Sequence, residues 1–308
     1  MCLVTADLGL PTVGPTREGC GWALLGFGRI TAEQFVPALL AAPSGNPVTV
    51  WDASPAAAAQ LAALLPGARV AASLPDAVAD KLVTAAFVAT PPDGHLEAVL
   101  AAAAAKRAVL VTRPLAATLA DAEDLVAACD GLVAGSSADE RWHPAHLLMG
   151  DMVEQGELGT VTAVRVVDAQ AMPALDLLAV LLGEDAARLA VQRGADGGLA
   201  IAGATRRGVL LSQHVWTGTP TTRPGSRVEV VGTGGVLTAV DTMGSRAGGT
   251  LTFSGPDGVA RPVPFDAALS PATAQVERFS LAALGASPWG YHLLRDLRLQ
   301  RLLAAAGG

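Results

Sequence analysis

The sequence predicts an α/β protein with two domains, the first built on a parallel sheet and the second on a mostly antiparallel open sheet. Short, almost wholly apolar runs alternate with helical segments up to about residue 137, as in βαβ units whose strands are buried on both faces. Beyond that point, alternating strands follow one another through glycine-rich turns, which is typical of antiparallel pairing. We therefore expect domains over 21–137 and 138–308, preceded by a flexible arm over 1–20.

The elements of the first domain follow from its apolar runs and turn signals. Predicted strands cover GWALLGF, VTVWD, LVTAAFVAT, AVLVT and GLVAGS, and predicted helices cover RITAEQFVPALLAA, SPAAAAQLAALL, GHLEAVLAAAAAK and TLADAEDLVAAC. Ser54 is a candidate N-cap with Pro55 at the first helical position, and Thr118 is the candidate cap of the last of these helices.

The second predicted domain has a different order of helices and strands, with consecutive strands between helices at its start and end. Predicted helices cover HPAHLLMGDMVEQGELG, ALDLLAVLLGE, ATAQVERFSLAALGAS and WGYHLLRDLRLQRLLAAA. Predicted strands lie in TVTAVRVVDAQ, LAIAGATRRGVLLSQHVWTG, RVEVVGTGGVLTAV and GTLTFSGPDGVARPVPF. The stretch over 217–227 is rich in Pro, Thr and Gly and predicts a long loop.

Composition narrows the class of protein. Hydrophobic residues make up 51% and charged residues 16%, as in a globular chain, and a net charge of -7 argues against nucleic-acid binding. The most apolar stretch is broken by Lys106 and Arg107 and is too short for a membrane helix. Cys2, Cys20 and Cys129 lack metal-ligand spacing, so we expect free thiols, no metal site and a cytoplasmic location.

A glycine motif opens the first helix. Gly26-Phe27-Gly28-Arg29-Ile30-Thr31 has the first two glycines of G-x-G-x-x-G/A, with Thr31 in the third place. The first glycine permits a tight turn, the second lets the backbone approach a pyrophosphate, and the helix start holds the phosphates. We expect residues 26–30 to bind the cofactor. Thr31 either pushes the helix away from the strand or offers its hydroxyl to a phosphate.

Asp52 ends the second predicted strand, about 20 residues beyond the glycines. A carboxylate there accepts hydrogen bonds from a ribose diol and repels a 2′-phosphate, which favours NAD over NADP. The alternative is that the glycines only make a turn and Asp52 only caps a helix.

Several blocks, in the same order, resemble the Gfo/Idh/MocA family of oxidoreductases, which includes glucose–fructose oxidoreductase and inositol dehydrogenase. The matching blocks are LLGFGRITAEQFVPAL, VATPPDGHLEAVLAAAAAKRAVLVTRPLA, ERWHPAHLLMGDMVEQGELGTV, LDLLAVLLGE, RVEVVGTGGVL and VERFSLAAL. The resemblance implies a Rossmann domain, then an α/β domain whose sheet often forms an oligomer interface, with substrate in the cleft. We therefore expect a homodimer or homotetramer formed through the C-terminal sheet.

The resemblance also assigns site residues and exposes departures. It implies that Thr90, Pro91, His95, Thr112 and Arg113 contact the cofactor. Thr112 and Arg113 stand where the family has the Glu and Lys of its Glu-Lys-Pro motif. The family's acid/base histidine aligns with Pro173, whereas Asp176 of the His-x-x-Asp pair is present. The segment from Val164 to Leu177 is also shorter than is usual in the family.

Three residues are candidates for catalysis. Arg113 is a poor general base because of its high pKa, but it can bind an anion or stabilise an oxyanion; alternatively it forms a salt bridge or contacts the cofactor. His95 can supply a proton or only cap and pack its helix, and Asp176 can bind substrate or only pair.

The remaining titratable candidates are weaker. We expect His143 and His146 to be solvent-exposed rather than to face the cleft. We expect His214, beside Trp216, to lie on a sheet face, and Tyr291, the single tyrosine, to have no catalytic part.

Two functions remain open. The first is an NAD(P)-dependent oxidoreductase that transfers a hydride with a non-standard acid/base set. Its substrate would be small and polar, either sugar-like or a biosynthetic intermediate, and neutral or anionic. The alternative is a repurposed relative, either a non-redox enzyme (cyclase, lyase or isomerase) or a noncatalytic ligand-binding protein. The loss of the family's lysine and histidine keeps the alternative open.

Overall fold

The computed structural model describes residues 19–168, 171–195, 197–215, 225–268 and 270–307. These residues form two compact units. The Rossmann unit comprises 19–138 and 272–298, and the sheet unit comprises 139–271 and 299–307. Most of the predicted arm, Cys2, Trp216 and most of the predicted loop over 217–227 lie outside the described residues.

The Rossmann unit contains a six-stranded sheet in which all neighbouring strands are parallel. Its strands are β1 (Cys20–Leu25), β2 (Gly45–Trp51), β3 (Arg69–Val70), β4 (Ala85–Val88), β5 (Ala108–Val111) and β6 (Ala134–Ser136). They lie in the order β3-β2-β1-β4-β5-β6. The direction of progression therefore reverses between β1 and β4, and open parallel sheets bind ligands at such a point.

Helices connect these strands. They are α1 (Val36–Ala41), α2 (Pro55–Leu64), α3 (Leu74–Ala79), α4 (His95–Ala104) and α5 (Leu119–Ala128). The predicted caps are confirmed, because the Ser54 hydroxyl accepts from the Ala57 amide at 3.4 Å and the Thr118 hydroxyl accepts from the Asp121 amide at 3.1 Å. β1, β4 and β5 are buried along their whole length, as their apolar runs predicted.

The structure differs from the sequence prediction in three details of this unit. The first helical stretch begins as a π-helix over Thr31–Phe35 before α1. The short β3 and α3 were not predicted; the Ser73 hydroxyl caps α3 by accepting from the Asp76 amide. Cys20, placed in the arm by the sequence analysis, is fully buried as the first residue of β1.

The sheet unit contains an eight-stranded sheet in the order β14-β13-β12-β11-β7-β10-β9-β8. The strands are β7 (Val161–Asp168), β8 (Ala186–Arg193), β9 (Leu199–Thr205), β10 (Leu210–Val215), β11 (Arg227–Gly232), β12 (Gly235–Val240), β13 (Thr250–Ser254) and β14 (Ala260–Pro262). Only β7 and β10 pair in parallel, so the prediction of a mostly antiparallel sheet is confirmed. β8 was not predicted.

Two helices cover one face of this sheet, α6 (Pro144–Glu154) and α7 (Ala171–Leu182). The core beneath them is built from alternate strand positions such as Val164 and Val166 of β7, together with Met149 of α6 and Leu178 of α7. α7 begins three residues before the predicted start and so includes Pro173 in its first turn, where the missing N–H costs no helical hydrogen bond.

The division into units corrects one predicted boundary. The predicted second domain covers all residues from 138 onward, but residues 272–298 group with the Rossmann unit. This segment carries α8 (Pro271–Ala283) and the start of α9 (Leu293–Ala305). Polar contacts hold it there: the Glu277 carboxylate accepts from the Ser44 hydroxyl at 2.7 Å, and the Ser280 hydroxyl accepts from the Trp22 indole N–H at 3.0 Å.

Candidate functional site

The glycine loop lies at the switch point of the parallel sheet. Gly26 has a φ of +103°, and a Cβ there would come within 2.5 Å of the Ala89 carbonyl carbon and the Thr90 nitrogen. Only glycine fits this close crossing between the β1 and β4 ends. A Cβ on Gly28 would meet no atom within 4 Å, so the backbone after the turn faces open space. Such a loop can approach a pyrophosphate.

Thr31 is buried, and its hydroxyl donates to the Gly26 carbonyl at 3.0 Å. The alternative in which this hydroxyl binds a phosphate is therefore wrong, because the hydroxyl is buried and already donates its proton to the Gly26 carbonyl. The helical stretch opens with a π turn over Thr31–Phe35, and the displacement of the helix from the strand stays a prediction. Thr31 thus stabilises the loop from inside.

Asp52 follows β2 and is half-buried. Its Oδ2 accepts from the Phe27 amide in the glycine loop, and its Oδ1 accepts from the Ser54 amide before α2, both at 2.8 Å. Each carboxylate oxygen has a second lone pair for a further donor. Asp52 therefore both holds the glycine loop and leaves acceptor capacity for a ribose diol.

The connection after β4 contributes Thr90, Pro91 and His95. The Thr90 hydroxyl oxygen is buried with no hydrogen-bond partner among the described residues. A buried hydroxyl without a partner is unfavourable by about 1–3 kcal/mol, so a ligand that hydrogen-bonds to it would be stabilised. Pro91 is exposed beside it.

His95 is the first residue of α4 and is 1% exposed. Its Nδ1 lies 3.0 Å from the Leu115 carbonyl, and its Nε2 lies 2.8 Å from the Thr90 carbonyl and 3.2 Å from the Thr112 hydroxyl. Burial lowers the pKa of His95, and the carbonyl contacts oppose that shift. The ring has almost no surface through which it could touch a substrate.

Thr112 and Arg113 follow β5, next to β4 in the sheet. Thr112 is buried and Arg113 is half-buried, and the Arg113–Pro114 peptide bond is cis. The structure thus brings Gly26–Ile30, Asp52, Thr90, His95, Thr112 and Arg113 to the carboxyl ends of four neighbouring strands, as the topology requires.

Asp176 belongs to the sheet unit and has a partner that the sequence analysis missed. Its carboxylate forms a two-pronged ion pair with Arg141, whose Nε donates to Oδ2 and whose Nη2 donates to Oδ1 at 3.0 Å. Both side chains are 0% exposed. Pairing was the alternative weighed for Asp176, and the geometry favours it. Arg141 carries no sequence signal beyond its place in the family's helix block.

The expectation that His143 and His146 are exposed is wrong, because both are fully buried. The His143 Nδ1 caps α6 by accepting from the Ala145 amide at 3.2 Å. The His146 Nδ1 lies 2.8 Å from the Glu140 carbonyl, and its Nε2 lies 2.8 Å from the Thr242 hydroxyl. Burial lowers the pKa of His143 to about 4 and that of His146 to about 3.

The structure also locates two weaker candidates, His214 and Tyr291. His214 is exposed on β10, as predicted for a sheet-face residue. Tyr291 lies in the Rossmann unit with its ring centroid 6.1 Å from that of Trp289. Among the described ranges, no cluster of three or more His, Cys, Asp or Glu could hold a metal ion, and no helix has the length and apolarity to cross a bilayer.

Comparison with known families addresses the Rossmann unit directly. Residues 20–133 match the Gfo/Idh/MocA family, described as an oxidoreductase family with an NAD-binding Rossmann fold. The Rossmann region is a Gfo/Idh/MocA domain. The resemblance inferred from the sequence is therefore confirmed, and so is the assignment of a nicotinamide-dinucleotide fold.

Two relatives of this chain are reductases. The chain is 33% identical over 154 residues to the 1,5-anhydro-D-fructose reductase of Ensifer adhaerens, which covers 49% of this chain and 46% of the relative. It is also 33% identical over 145 residues to the dTDP-3,4-didehydro-2,6-dideoxy-alpha-D-glucose 3-reductase of Streptomyces antibioticus. That match covers 45% of this chain and 42% of the relative. Each match spans less than half of the relative's length.

A solved structure extends the likeness to the whole fold. KijD10, a 3-ketoreductase from Actinomadura kijaniata crystallised with NADP and TDP-benzene, superposes with a TM-score of 0.79 at 18% identity. The superposition covers 94% of this chain and 97% of that one. At this identity the likeness establishes the fold alone.

Proposed function

We propose that this protein is an NAD(P)-dependent oxidoreductase that transfers a hydride to or from a small sugar-like substrate. The observation that carries the proposal is the glycine loop at the switch point, tied to Asp52 through the Phe27 amide, within a Gfo/Idh/MocA domain. The similarity to an anhydrofructose reductase and to a 3-reductase of a dTDP-linked sugar favours a keto group as the reacting function.

The residues that would hold the dinucleotide are those at the ends of β1, β2, β4 and β5. Backbone amides of Gly26–Ile30 would bind the pyrophosphate, Asp52 a ribose diol, and the unpartnered Thr90 hydroxyl another polar group of the cofactor. The bound dinucleotide supplies or accepts the hydride. Pro91, Thr112 and Arg113 border the same edge.

We propose NAD as the preferred cofactor. Asp52 places negative charge where a 2′-phosphate would lie, and positions 53–68 contain no Lys or Arg to neutralise such a group. Because a structural neighbour was crystallised with NADP, both cofactors belong in the test.

Arg113 is the residue that we assign to the reacting oxygen. During reduction, hydride adds to the carbonyl carbon and the oxygen becomes an alkoxide, which a guanidinium can stabilise by charge and hydrogen bonds. Arginine keeps its own proton near neutral pH, so we propose that water protonates the alkoxide. Arg113 also favours a substrate with a carboxylate or phosphate.

The second candidate is a repurposed protein, without hydride transfer to a sugar. The specific observation behind it is that Arg113 and Pro173 stand at the family's lysine and histidine positions while Asp176 is sealed in an ion pair with Arg141. A protein with these replacements could still bind a ligand or catalyse a non-redox reaction.

Calorimetric titration with NADH and with NADPH separates the two candidates. We expect NADH to bind more tightly, and we expect Asp52→Ala to weaken NADH binding. The dihydronicotinamide absorbance should then fall when a panel of keto sugars, including 1,5-anhydro-D-fructose, is added. Binding of neither cofactor would overturn the redox proposal, and binding without turnover would favour the repurposed protein.

We further propose a cytoplasmic homodimer or homotetramer joined through the outward face of the eight-stranded sheet. On β10 the side chains of Leu211 and Gln213 are buried, whereas Leu210 is 61% exposed on the opposite face. Two buried free thiols, Cys20 and Cys129, agree with a reducing compartment. Light scattering of wild type and Leu210→Arg tests the assembly, since a charge in the interface should release monomers.

A further inference from the structure

The His95 imidazole is surrounded by groups from two different connections. The Thr90 carbonyl belongs to the connection after β4, whereas the Thr112 hydroxyl and the Leu115 carbonyl belong to the connection after β5. Thr112 and Leu115 flank Arg113. One buried ring therefore contacts the chain on both sides of Arg113 and ties it to the neighbouring strand end.

Backbone hydrogen bonds tie the same two connections together. The Thr112 amide donates to the Val88 carbonyl at 2.9 Å, and the Ala117 amide donates to the Pro92 carbonyl at 3.2 Å. The His95 ring adds side-chain contacts to the same connection, from Nδ1 to the Leu115 carbonyl and from Nε2 to the Thr112 hydroxyl.

A hydroxyl is a suitable partner for this ring. A neutral imidazole donates from one nitrogen and accepts at the other, and a threonine hydroxyl can do either. With the proton on Nε2, the N–H can be shared between the Thr90 carbonyl and the Thr112 hydroxyl. With the proton on Nδ1, the N–H donates to the Leu115 carbonyl and the Thr112 hydroxyl can donate to Nε2. Thr112, which stands at the place of the family's glutamate, thus matches the ring without bringing a charge into a buried position.

We propose that His95 and Thr112 form a clamp that sets the orientation of Arg113, so that His95 acts as a positioning residue through Arg113 and not as an acid or base on the substrate. The clamp itself rests on the contacts above. What Arg113 does once positioned rests on the proposed function.

Amide hydrogen exchange tests the clamp without any cofactor or substrate. We expect His95→Ala and Thr112→Val to speed exchange of peptides over 112–117 by about tenfold, the factor that one lost hydrogen bond produces. Peptides over 199–215 in the sheet unit should not change. The matched control is His292→Gln, at an exposed histidine of the Rossmann unit, and this variant should exchange like wild type.

Conservative variants keep the test decisive if His95→Ala fails to fold. The amide nitrogen of Asn falls near the Nδ1 position and that of Gln near Nε2, so His95→Asn should retain the Leu115 contact and His95→Gln the contacts to Thr90 and Thr112. Because each variant lacks one side of the ring's contacts, we expect each to exchange faster than wild type over 112–117, by less than the tenfold expected for His95→Ala. Wild-type exchange rates over 112–117 in both folded variants would overturn the clamp.

A double-mutant cycle tests whether His95 acts through Arg113. kcat values on a keto-sugar substrate are measured for wild type, His95→Gln, Arg113→Ala and the double variant, with unfolding temperatures alongside. We expect His95→Gln to lower kcat several-fold in wild type and to have little further effect once Arg113 is absent. Fully additive effects would overturn action through Arg113. If wild type binds neither NADH nor NADPH, the proposed function fails, and the exchange data still decide the clamp.

Discussion

Asp52 and Asp176 are both acidic residues predicted to belong to the functional site, and the structure places them in opposite environments. Asp52 is half-buried at a strand end, where backbone amides of Phe27 and Ser54 bind its oxygens and leave lone pairs for a ligand. Asp176 is 0% exposed on α7, with both oxygens bound by Arg141. The two carboxylates share their chemistry but differ in access to solvent.

The difference shows how burial assigns a role. A carboxylate removed from water must be paired, and the Arg141–Asp176 pair, at 0% exposure, presents no surface to a substrate. A carboxylate held at a strand end by amide N–H groups keeps its charge and part of its surface. The first arrangement is suited to holding helices in place and the second to binding.

The largest expected effect comes from breaking the buried pair. Asp176→Ala removes the two-pronged carboxylate partner of the Arg141 guanidinium, which is 0% exposed, so the free energy of unfolding should fall by about 3–5 kcal/mol. Urea denaturation followed by circular dichroism measures this. Replacing both partners, with Arg141→Met and Asp176→Leu together, should recover much of the loss. Equal stability of Asp176→Ala and wild type would contradict the structural role.

Arg113 and Arg141 extend the comparison to cations, and the next largest effect concerns Arg113. Since Arg113 is half-buried at the proposed site, Arg113→Ala should lower kcat on a keto-sugar substrate by about 10²- to 10³-fold, as when a donor to an oxyanion is removed. Its unfolding temperature should stay close to that of wild type. Arg113→Lys is the matched variant, and appearance of sugar dehydrogenase activity in it would identify Arg113 as the change that blocks the family's usual proton chemistry.

Asp52→Ala sharpens the binding side of the comparison. Loss of charged hydrogen bonds of about 1.5–3 kcal/mol should raise the dissociation constant of NADH by about 10- to 100-fold, measured by calorimetry. The discrimination against NADPH should shrink, because the repelling charge is gone. Ser54→Ala is the control, since it removes the α2 cap and spares the carboxylate. Unchanged NADH affinity in Asp52→Ala would remove Asp52 from the site.

The smallest expected effect, counted per pH unit, is a pH dependence of the free energy of unfolding that originates in the sheet unit. The pKa of buried His143 is about 4 in the folded protein, against about 6.5 when unfolded. Between these values the unfolded chain binds a proton that the folded chain refuses, so stability falls as pH drops from 6.5 to 4. His143 contributes up to about 1.4 kcal/mol per pH unit in this window.

His143→Asn isolates this contribution, because asparagine retains an acceptor for the α6 N-cap and does not titrate. Its free energy of unfolding should depend less steeply on pH between 6.5 and 4 than that of wild type. His214→Asn, at an exposed histidine, should leave the slope unchanged. Equal slopes for His143→Asn and wild type would contradict the lowered pKa.

Much of the Rossmann edge could be predicted from the sequence because its signals are local. The apolar runs of β1, β4 and β5, the caps Ser54 and Thr118, and the spacing of Gly26 to Asp52 all depend on residues near one another in the chain. The short β3 could not be predicted, because its two residues, Arg69 and Val70, are exposed and form no apolar run. The π turn at Thr31 has no signal of its own in the apolar pattern.

The sequence by itself determined the two sheet types, the family of the Rossmann domain and the set of residues at the carboxyl ends of the parallel strands. Tertiary structure alone decided which polar and charged side chains are buried against partners. Arg141 and Asp176 lie 35 positions apart and His95 and Thr112 lie 17 apart, and neither separation signals a contact. The physical reason is that periodicity reports which face of an element is apolar, whereas the role of a charged or polar group depends on partners and on loss of water, which arise only when distant segments pack together.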